Sequence, residues 1–188
     1  MPNPLLQIKN LVVDFKSENG LSKAVNNISF SLPQGKTLGV VGESGSGKSV
    51  TSLSIMRLIP SPPGKISNGE IIYTNNSGEE VDLLKVSEKD MRNYRGNEIA
   101  MIFQEPMTSL NPVHKCGKQV MESILTHQKI SKQEAKAKTI ELFNEVLLPE
   151  PEITFNKYPH QISGGQKQRV MIAMAISCNP SIQLLCFF

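Results

Sequence analysis

The stretch TLGVVGESGSGKS, residues 37–49, decides the fold of this chain. It opens with a short apolar run from Thr37 to Val41, which predicts a buried β-strand. The residues that follow match the pattern G-x-x-x-x-G-K-[S/T], which predicts a loop that cradles the phosphates of a nucleotide. A helix is predicted from Ser49 to Ile59, where Pro60 ends it. A strand, a glycine-rich loop and a helix in this order predict an α/β fold.

The residue types of this loop suit a bound polyphosphate. Glycines permit positive φ angles and let backbone N–H groups point into one concavity. The start of the following helix adds partial positive charge at the same place. Lys48 supplies a point charge for the β- and γ-phosphates, and Ser49 offers a hydroxyl to Mg²⁺. The alternative is a flexible loop that binds nothing. The candidate binding residues are Gly42, Glu43, Ser44, Gly45, Ser46, Gly47, Lys48 and Ser49.

Length and composition narrow the class of protein. A chain of 188 residues with 39% hydrophobic and 20% charged residues fits one folded domain and argues against disorder. The net charge of +3 is too small to indicate nucleic acid as the main partner. No N-terminal signal peptide or apolar run of ~18 residues is evident, so we expect a cytoplasmic protein. Three widely spaced cysteines predict free thiols, namely Cys116, Cys178 and Cys186.

The rest of the chain divides into a strand-rich part before residue 104 and a helix-rich part after it. Alternating apolar residues predict the strands, and tight turns are expected at 17–22, 33–35 and 75–78. Ser87 and Ser131 have the spacing of helix N-caps, and Ser131 begins a capping box. The predicted strands, besides 37–41, are residues 5–15, 25–32, 69–74, 81–84 and 99–103.

A second candidate anion site opens the last predicted helix, which ends before Asn179. Ser163 can cap this helix, while Gly164 and Gly165 leave its first N–H groups open. Taken alone, Ser163-Gly164-Gly165-Gln166 is as well explained by an N-cap with a flexible approach. Together with the loop at 42–49, however, the sequence resembles the ATP-binding cassette family. The family signature, usually L-S-G-G-Q, reads Ile162 to Gln166 here.

Other residues extend the resemblance. Gln104, in IFQEP at 102–106, matches the family's Q-loop glutamine, which helps to hold Mg²⁺ and the attacking water. Without the family, Gln104 would be a surface polar residue at a strand end. Phe15 is placed like the aromatic residue that stacks on adenine, although it also fits a core strand. The segments FQEPMTSLNP at 103–112 and YPHQISGGQKQRVMIAMA at 158–175 are similar to the ATPase subunits of oligopeptide, dipeptide and nickel importers.

The resemblance implies a P-loop NTPase core of α/β class with an antiparallel β subdomain and a helical insertion, C-terminally incomplete. It places the whole of 1–188 in a partial ATP-binding domain. Within it, residues 1–103 would form the β-rich nucleotide-binding core and 104–160 the helical subdomain. Residues 161–188 would form the signature helix and a truncated core strand.

The resemblance also implies a function. Two cassettes, identical or different, would face each other and hold ATP and Mg²⁺ between them. One copy would contribute Lys48 and Ser49 to each site, and the other copy would contribute Ser163 and Gly165. Gln104 and the helical insertion would pass the motion to permease subunits that move peptide or nickel. The chain would then sit on the inner face of the cell membrane through its partners, without binding nucleic acid. Two alternatives stay open: a soluble cassette ATPase without a transport role, and an inactive nucleotide-binding fragment.

One departure from the family concerns hydrolysis. The family's next strand ends in Asp-Glu, but by spacing from Pro180 these positions are Cys186 and Phe187. A thiol is a poor Mg²⁺ ligand and phenylalanine accepts no proton. We therefore expect a truncated or frameshifted copy, with an exposed edge on its core sheet and negligible ATP hydrolysis. No histidine can act as the family's switch histidine, because each precedes the signature: His114, His127 and His160.

Overall fold

The computed structural model describes residues 4–17, 20–75, 77–103 and 109–186. They form two compact units, an N-terminal unit (Met1–Met91) and a C-terminal unit (Arg92–Phe188). The strands are β1 (Leu6–Ser17), β2 (Gly20–Leu32), β3 (Gly64–Thr74), β4 (Glu80–Asp82), β5 (Ile99–Ile102) and β6 (Ile182–Leu185). The helices are α1 (Lys48–Ile55), α2 (Glu88–Tyr94), α3 (Cys116–His127), α4 (Lys132–Glu145), α5 (Pro151–Asn156) and α6 (Gly164–Ile176).

The N-terminal unit is built on an antiparallel sheet with the strand order β2-β1-β3-β4. The buried residues of β1 change phase between Ile8 and Leu11, where the pairing with β2 shifts register. Asn10 adopts a φ of 49° there, as expected of a bulge that inserts an extra residue. This bulge explains why the buried apolar residues of β1 are three positions apart from Ile8 to Leu11, but two apart from Leu6 to Ile8 and from Leu11 to Val13.

The predicted buried strand at 37–41 is wrong. These residues are in neither a helix nor a strand, and Val41 has 94% of its surface exposed. A short apolar run is buried as a strand only when neighbouring strands supply hydrogen bonds and cover both of its faces. Among the described residues, no strand pairs with this run. The run therefore stays extended and exposed on its way into the glycine-rich loop.

The C-terminal unit has a helical core. Side chains from α3, α4, α5 and α6 pack into one buried cluster. The predicted N-caps are all present: Ser131 and Glu134 form a reciprocal capping box on α4, and Ser163 caps α6. At the start of α2, the Asp90 N–H donates to the Ser87 hydroxyl at 3.1 Å. Gly117 lets α3 approach the ring of Phe155, because a Cβ at Gly117 would overlap that ring. The central buried residues of this cluster include Val120, Ile124, Phe143 and Val170.

A two-stranded parallel sheet completes the C-terminal unit. β5 and β6 pair in register from Ile99 with Ile182 to Ile102 with Leu185. Beyond the end of β6, the backbone N–H of Cys186 donates a hydrogen bond of 3.2 Å to the Ile102 carbonyl. In the described part of the chain this sheet has no third strand.

Burial of the Cys116 thiol raises its pKa to about 11, so this cysteine stays protonated at neutral pH.

Candidate phosphate-binding site

The glycine-rich loop adopts the conformation that its sequence predicts. Gly45 and Gly47 have φ angles of +81° and +89°, in the left-handed region that favours glycine. Between them, the N–H of Ser46 donates to the Glu43 carbonyl at 3.2 Å and closes a tight turn. The loop is mostly exposed to solvent, so it is accessible to a ligand from outside the protein.

Gly47 fixes the end of the loop against the sheet. It is the N-cap of α1, and its carbonyl accepts hydrogen bonds of 2.9 Å from both the backbone N–H and the hydroxyl of Thr51. A Cβ at Gly47 would overlap the carbonyl oxygen of Ala24 in β2. Only glycine therefore satisfies both the backbone angle and the close approach to β2. The start of α1 contains no acidic residue that would compete for its positive end.

Lys48 is folded over its own loop. Its Nζ atom donates to the carbonyls of Gly42 at 2.6 Å and Glu43 at 2.7 Å, and lies 3.4 Å from the Ser46 hydroxyl. The ammonium group is therefore held above the concavity formed by the loop. A phosphate oxygen is a stronger acceptor for an ammonium group than a neutral carbonyl is. Ser49 follows on the first turn of α1, and its hydroxyl has no hydrogen-bond partner among the described residues.

The second candidate site lies at the start of α6. The Gln166 N–H donates to the Ser163 hydroxyl at 3.3 Å, and the Gln166 side chain accepts from the Ser163 N–H at 2.9 Å. Because a hydroxyl can accept and donate together, Ser163 keeps its own hydrogen for a ligand. A Cβ at Gly164 or Gly165 would meet no atom within 4 Å, so this helix start is open.

Two further residues were predicted to belong to the nucleotide site, Phe15 and Gln104, and the structure describes only Phe15. Phe15 lies on β1 opposite Gly64 of β3, and a Cβ at Gly64 would lie 2.9 Å from the Phe15 ring. The ring is thus packed against the sheet, and its stacking on adenine stays a prediction. Gln104 lies outside the described residues, so its predicted role also stays a prediction.

Sequence reasoning missed one positioning residue, Arg169. Its guanidinium donates to the carbonyls of Val146, at 3.2 Å, and Leu147. These carbonyls follow the end of α4, where acceptors are left without helical donors. Arg169 therefore ties α6 to the end of α4 and helps to hold the helix that presents Ser163. An arginine in a polar helical segment gives no sequence signal for such a contact.

The described residues contain no cluster of His, Cys, Asp and Glu side chains that could hold a metal ion by themselves. The thiol of Cys186, next to the end of β6, belongs to a partly exposed residue. None of the described helices combines the length and the apolar character needed to cross a lipid bilayer.

Comparison of the sequence with a family model and with known proteins points to the same family in each case. A family model described as "ABC transporter" matches residues 25–185. The chain is 52% identical over 178 residues to the oligopeptide transport ATP-binding protein OppD of Bacillus subtilis, covering 95% of this chain and 48% of that protein. It is 46% identical to the glutathione import ATP-binding protein GsiA of Escherichia coli K12, covering 29% of that protein. The chain thus spans about half the length of the first relative and less of the second.

The fold agrees with this match. The structure resembles that of the ATP-binding cassette MJ0796, solved as a dimer in a post-hydrolysis state bound to ADP and Pi. The TM-score is 0.82 at 26% identity, covering 96% of this chain and 72% of the cassette. The predicted combination of helices with an antiparallel sheet is confirmed. The family model covers most of the sequence and includes both the glycine-rich loop and the start of α6. The chain therefore belongs to the ABC transporter family.

Proposed function

We propose that this chain is the ATP-binding part of a peptide importer. The observation that carries the proposal is the loop at 42–49, in which Lys48 holds its ammonium group over a concavity that opens to solvent. A loop of this shape before a helix start is suited to the phosphates of ATP. Family membership supports the choice of nucleotide, since the similar cassette MJ0796 was solved with ADP and Pi.

Binding of ATP would exchange one set of hydrogen bonds for another. The Lys48 Nζ atom would leave the Gly42 and Glu43 carbonyls for the β- and γ-phosphates, while the first N–H groups of α1 face the same anion. Mg²⁺ suits this place because it keeps several waters and is bound mainly through phosphate oxygens and few protein oxygens. The Ser49 hydroxyl would be one such protein ligand, and Gln104 a second. Mg²⁺ would there neutralise charge on the phosphates.

The start of α6 would complete the site in a pair of cassettes. The Ser163 hydroxyl accepts from the Gln166 N–H, so its hydrogen is left to donate to a phosphate oxygen held by the partner copy. Gly164 and Gly165 leave room for a phosphate to approach the backbone N–H groups. The dimeric state of MJ0796 supports such a pair, whether of identical or different cassettes.

The relatives favour peptides as the transported class. Their names refer to oligopeptide transport and glutathione import, and a further relative from Sinorhizobium fredii is named as a probable peptide transporter subunit. The proposed partners are therefore permease subunits for peptides, which would hold this chain at the cytoplasmic face of the membrane. Nickel remains the alternative solute.

The 188-residue chain should bind ATP without hydrolysing it at a useful rate. The resemblance places the Asp that holds Mg²⁺ at position 186 and the Glu that activates the attacking water at position 187, where Cys186 and Phe187 stand instead. The described residues contain no cluster of three or more His, Cys, Asp and Glu side chains that could hold the metal ion in its place, and phenylalanine accepts no proton. Activation of the attacking water would therefore lack its general base.

The test has two readouts. Affinity-tagged chain is mixed with the detergent-solubilised permease subunits of the B. subtilis oligopeptide importer, and retained subunits are measured. In parallel, ATP binding and phosphate release by the chain are measured. Retention of the permease, ATP binding and absence of phosphate release would support the proposal. Absence of permease retention would contradict the transport role, and absence of ATP binding would contradict the nucleotide site.

A further inference from the structure

A groove lies along β3 in the N-terminal unit. Its volume is about 540 Å³, within the range of pockets that hold small organic ligands. One wall is a continuous piece of strand, because every residue from 64 to 69 lines it. The remaining wall comes from the segments that follow α1 and β4, namely Arg57, Ile59, Ser61 and Leu84. The groove can therefore present the backbone of β3, as well as side chains, to a ligand.

The outer edge of β3 is unpaired beside this groove. β1 pairs with one side of β3. On the other side, among the described strands, β4 pairs only with residues 72–74, and the Leu83 N–H donates to the Ile71 carbonyl at 2.8 Å. Beyond that bond, the described residues make no backbone hydrogen bond to the outer side of 65–69. In a strand paired on one side only, alternate N–H and C=O groups point outward, where an extended peptide can pair with them.

The charges of the groove favour an anionic ligand. Arg57 and Lys65 line it, whereas no described acidic residue does. Arg57 is held by the protein, because its guanidinium donates to two backbone carbonyls and lies 3.7 Å from the Glu88 carboxylate. The exposed Lys65 ammonium has no hydrogen bond or ion pair with the described residues. Asp14 lies across from Lys65 on β1, but it is buried and does not line the groove.

We propose that this groove binds a short peptide in an extended conformation, as an added strand along β3, with its C-terminal carboxylate beside Lys65. A free C-terminal carboxylate is the anion that every unmodified peptide carries. The edge of β3 supplies the ladder hydrogen bonds, while Ile59, Ile66 and Leu84 offer apolar contacts to the peptide side chains. A volume of about 540 Å³ holds a few residues and is too small for a second folded chain. The nucleotide-binding chain would thus have a peptide site of its own, apart from the permease.

The test uses an acetylated pentapeptide, Ac-Val-Thr-Val-Thr-Leu, which has a free carboxylate and no charged amine. Its binding to the 188-residue chain is measured by isothermal titration calorimetry. Hydrogen exchange of the amides at 64–69 is measured with and without the peptide. We expect saturable binding and slower exchange at alternate residues of this segment, because alternate N–H groups face an added strand.

Modified peptides separate the two kinds of contact. The same peptide with a C-terminal amide should bind about threefold or more weakly, because it loses an exposed ion pair. Two further peptides carry N-methyl groups, one at both threonine nitrogens and one at the nitrogens of the second valine and the leucine. Only one of these two should lose binding, by about tenfold or more, because only alternate N–H groups of an added strand donate to β3.

Two variants of the chain give a matched comparison. Lys65 and Lys23 are both exposed and both lie across from Asp14, but Lys23 is on β2, outside the groove. Lys65→Ala should bind the acid peptide about threefold or more weakly and the amide peptide as the parent does. Lys23→Ala should bind both peptides like the parent. Circular dichroism should be the same for all three proteins, since both side chains are exposed.

Several results would overturn the proposal: no saturable binding, equal affinities for the two N-methylated peptides, equal effects of Lys65→Ala and Lys23→Ala, or exchange at 64–69 that the peptide does not slow. Concentration-dependent dimers of the chain alone that slow exchange at 64–69 would assign this edge to a second copy instead. The experiment contains no nucleotide or permease. Its failure is therefore distinguishable from failure of the proposed transport function.

Discussion

Replacement of two glycines in the same loop should have very different effects on nucleotide binding. Gly45 and Gly47 both have positive φ angles, so alanine at either position introduces backbone strain of about 1–2 kcal/mol. At Gly45 the added methyl group meets no atom within 4 Å. At Gly47 it would overlap the carbonyl oxygen of Ala24, which belongs to the backbone and has little freedom to move. Relief of this overlap should add about 1–3 kcal/mol.

The expected consequence is a difference in ATP affinity. Gly47→Ala must move the end of the loop away from β2, and Lys48 moves with it. We expect Gly47→Ala to weaken ATP binding by about tenfold or more relative to Gly45→Ala, since 1.4 kcal/mol corresponds to a factor of ten. Isothermal titration calorimetry on both variants, with urea unfolding to measure stability, provides the comparison. Equal affinities and equal stabilities in the two variants would refute the assignment of this contact.

Two further predictions concern the C-terminal unit. Gly117→Ala should destabilise the chain by about 1–3 kcal/mol, because its methyl group overlaps the Phe155 ring. In urea unfolding, adding Phe155→Leu should recover part of this loss, and strictly additive effects would argue against the contact. Hydrogen bonds from the hydroxyl and N–H of Ser131 lower the pKa of the Glu134 carboxyl. The ionised carboxylate therefore stabilises the folded chain at pH values above 4.5, the usual pKa of the group. This stabilisation is lost as the pH falls through the lowered pKa. Glu134→Gln keeps a capping box but cannot titrate, so its urea midpoint should fall less than that of the parent below pH 4.5. Parallel losses in both proteins would contradict this cause.

Local patterns predicted most of the elements that depend on near neighbours in the sequence. The capping box at Ser131, the N-cap at Ser163 and the turn at 33–35 each depend on residues a few positions apart, and each is present. The glycine-rich loop is similar, because its positive φ angles are set by its own glycines. Such features could be derived from the sequence because their energetics are local.

The features that depend on distant segments were harder to predict. β3 begins at Gly64, five residues earlier than predicted, because pairing with β1 makes a strand of a polar segment. Helix α1 ends at Ile55 and not at the predicted Ile59. The helix does not continue because Arg57 takes a φ of 49°. The side chain of Arg57 donates a hydrogen bond of 2.7 Å to the carbonyl of Val86, which is distant in the sequence. The run at 37–41 failed as a strand for the same reason, since its burial needs a partner. The division into 1–103, 104–160 and 161–188 stays a prediction.

The most direct test of the central claim is ATP binding by the parent chain and by Lys48→Ala. Equilibrium dialysis with radiolabelled ATP and Mg²⁺ gives both dissociation constants, and Lys36→Ala, another lysine on an exposed turn, is the control. Loss of charged hydrogen bonds of about 1.5–3 kcal/mol should weaken binding by at least about tenfold in Lys48→Ala. Lys36→Ala should bind like the parent. Equal ATP affinity in the parent and Lys48→Ala would contradict the assignment of residues 42–49 as the phosphate-binding loop.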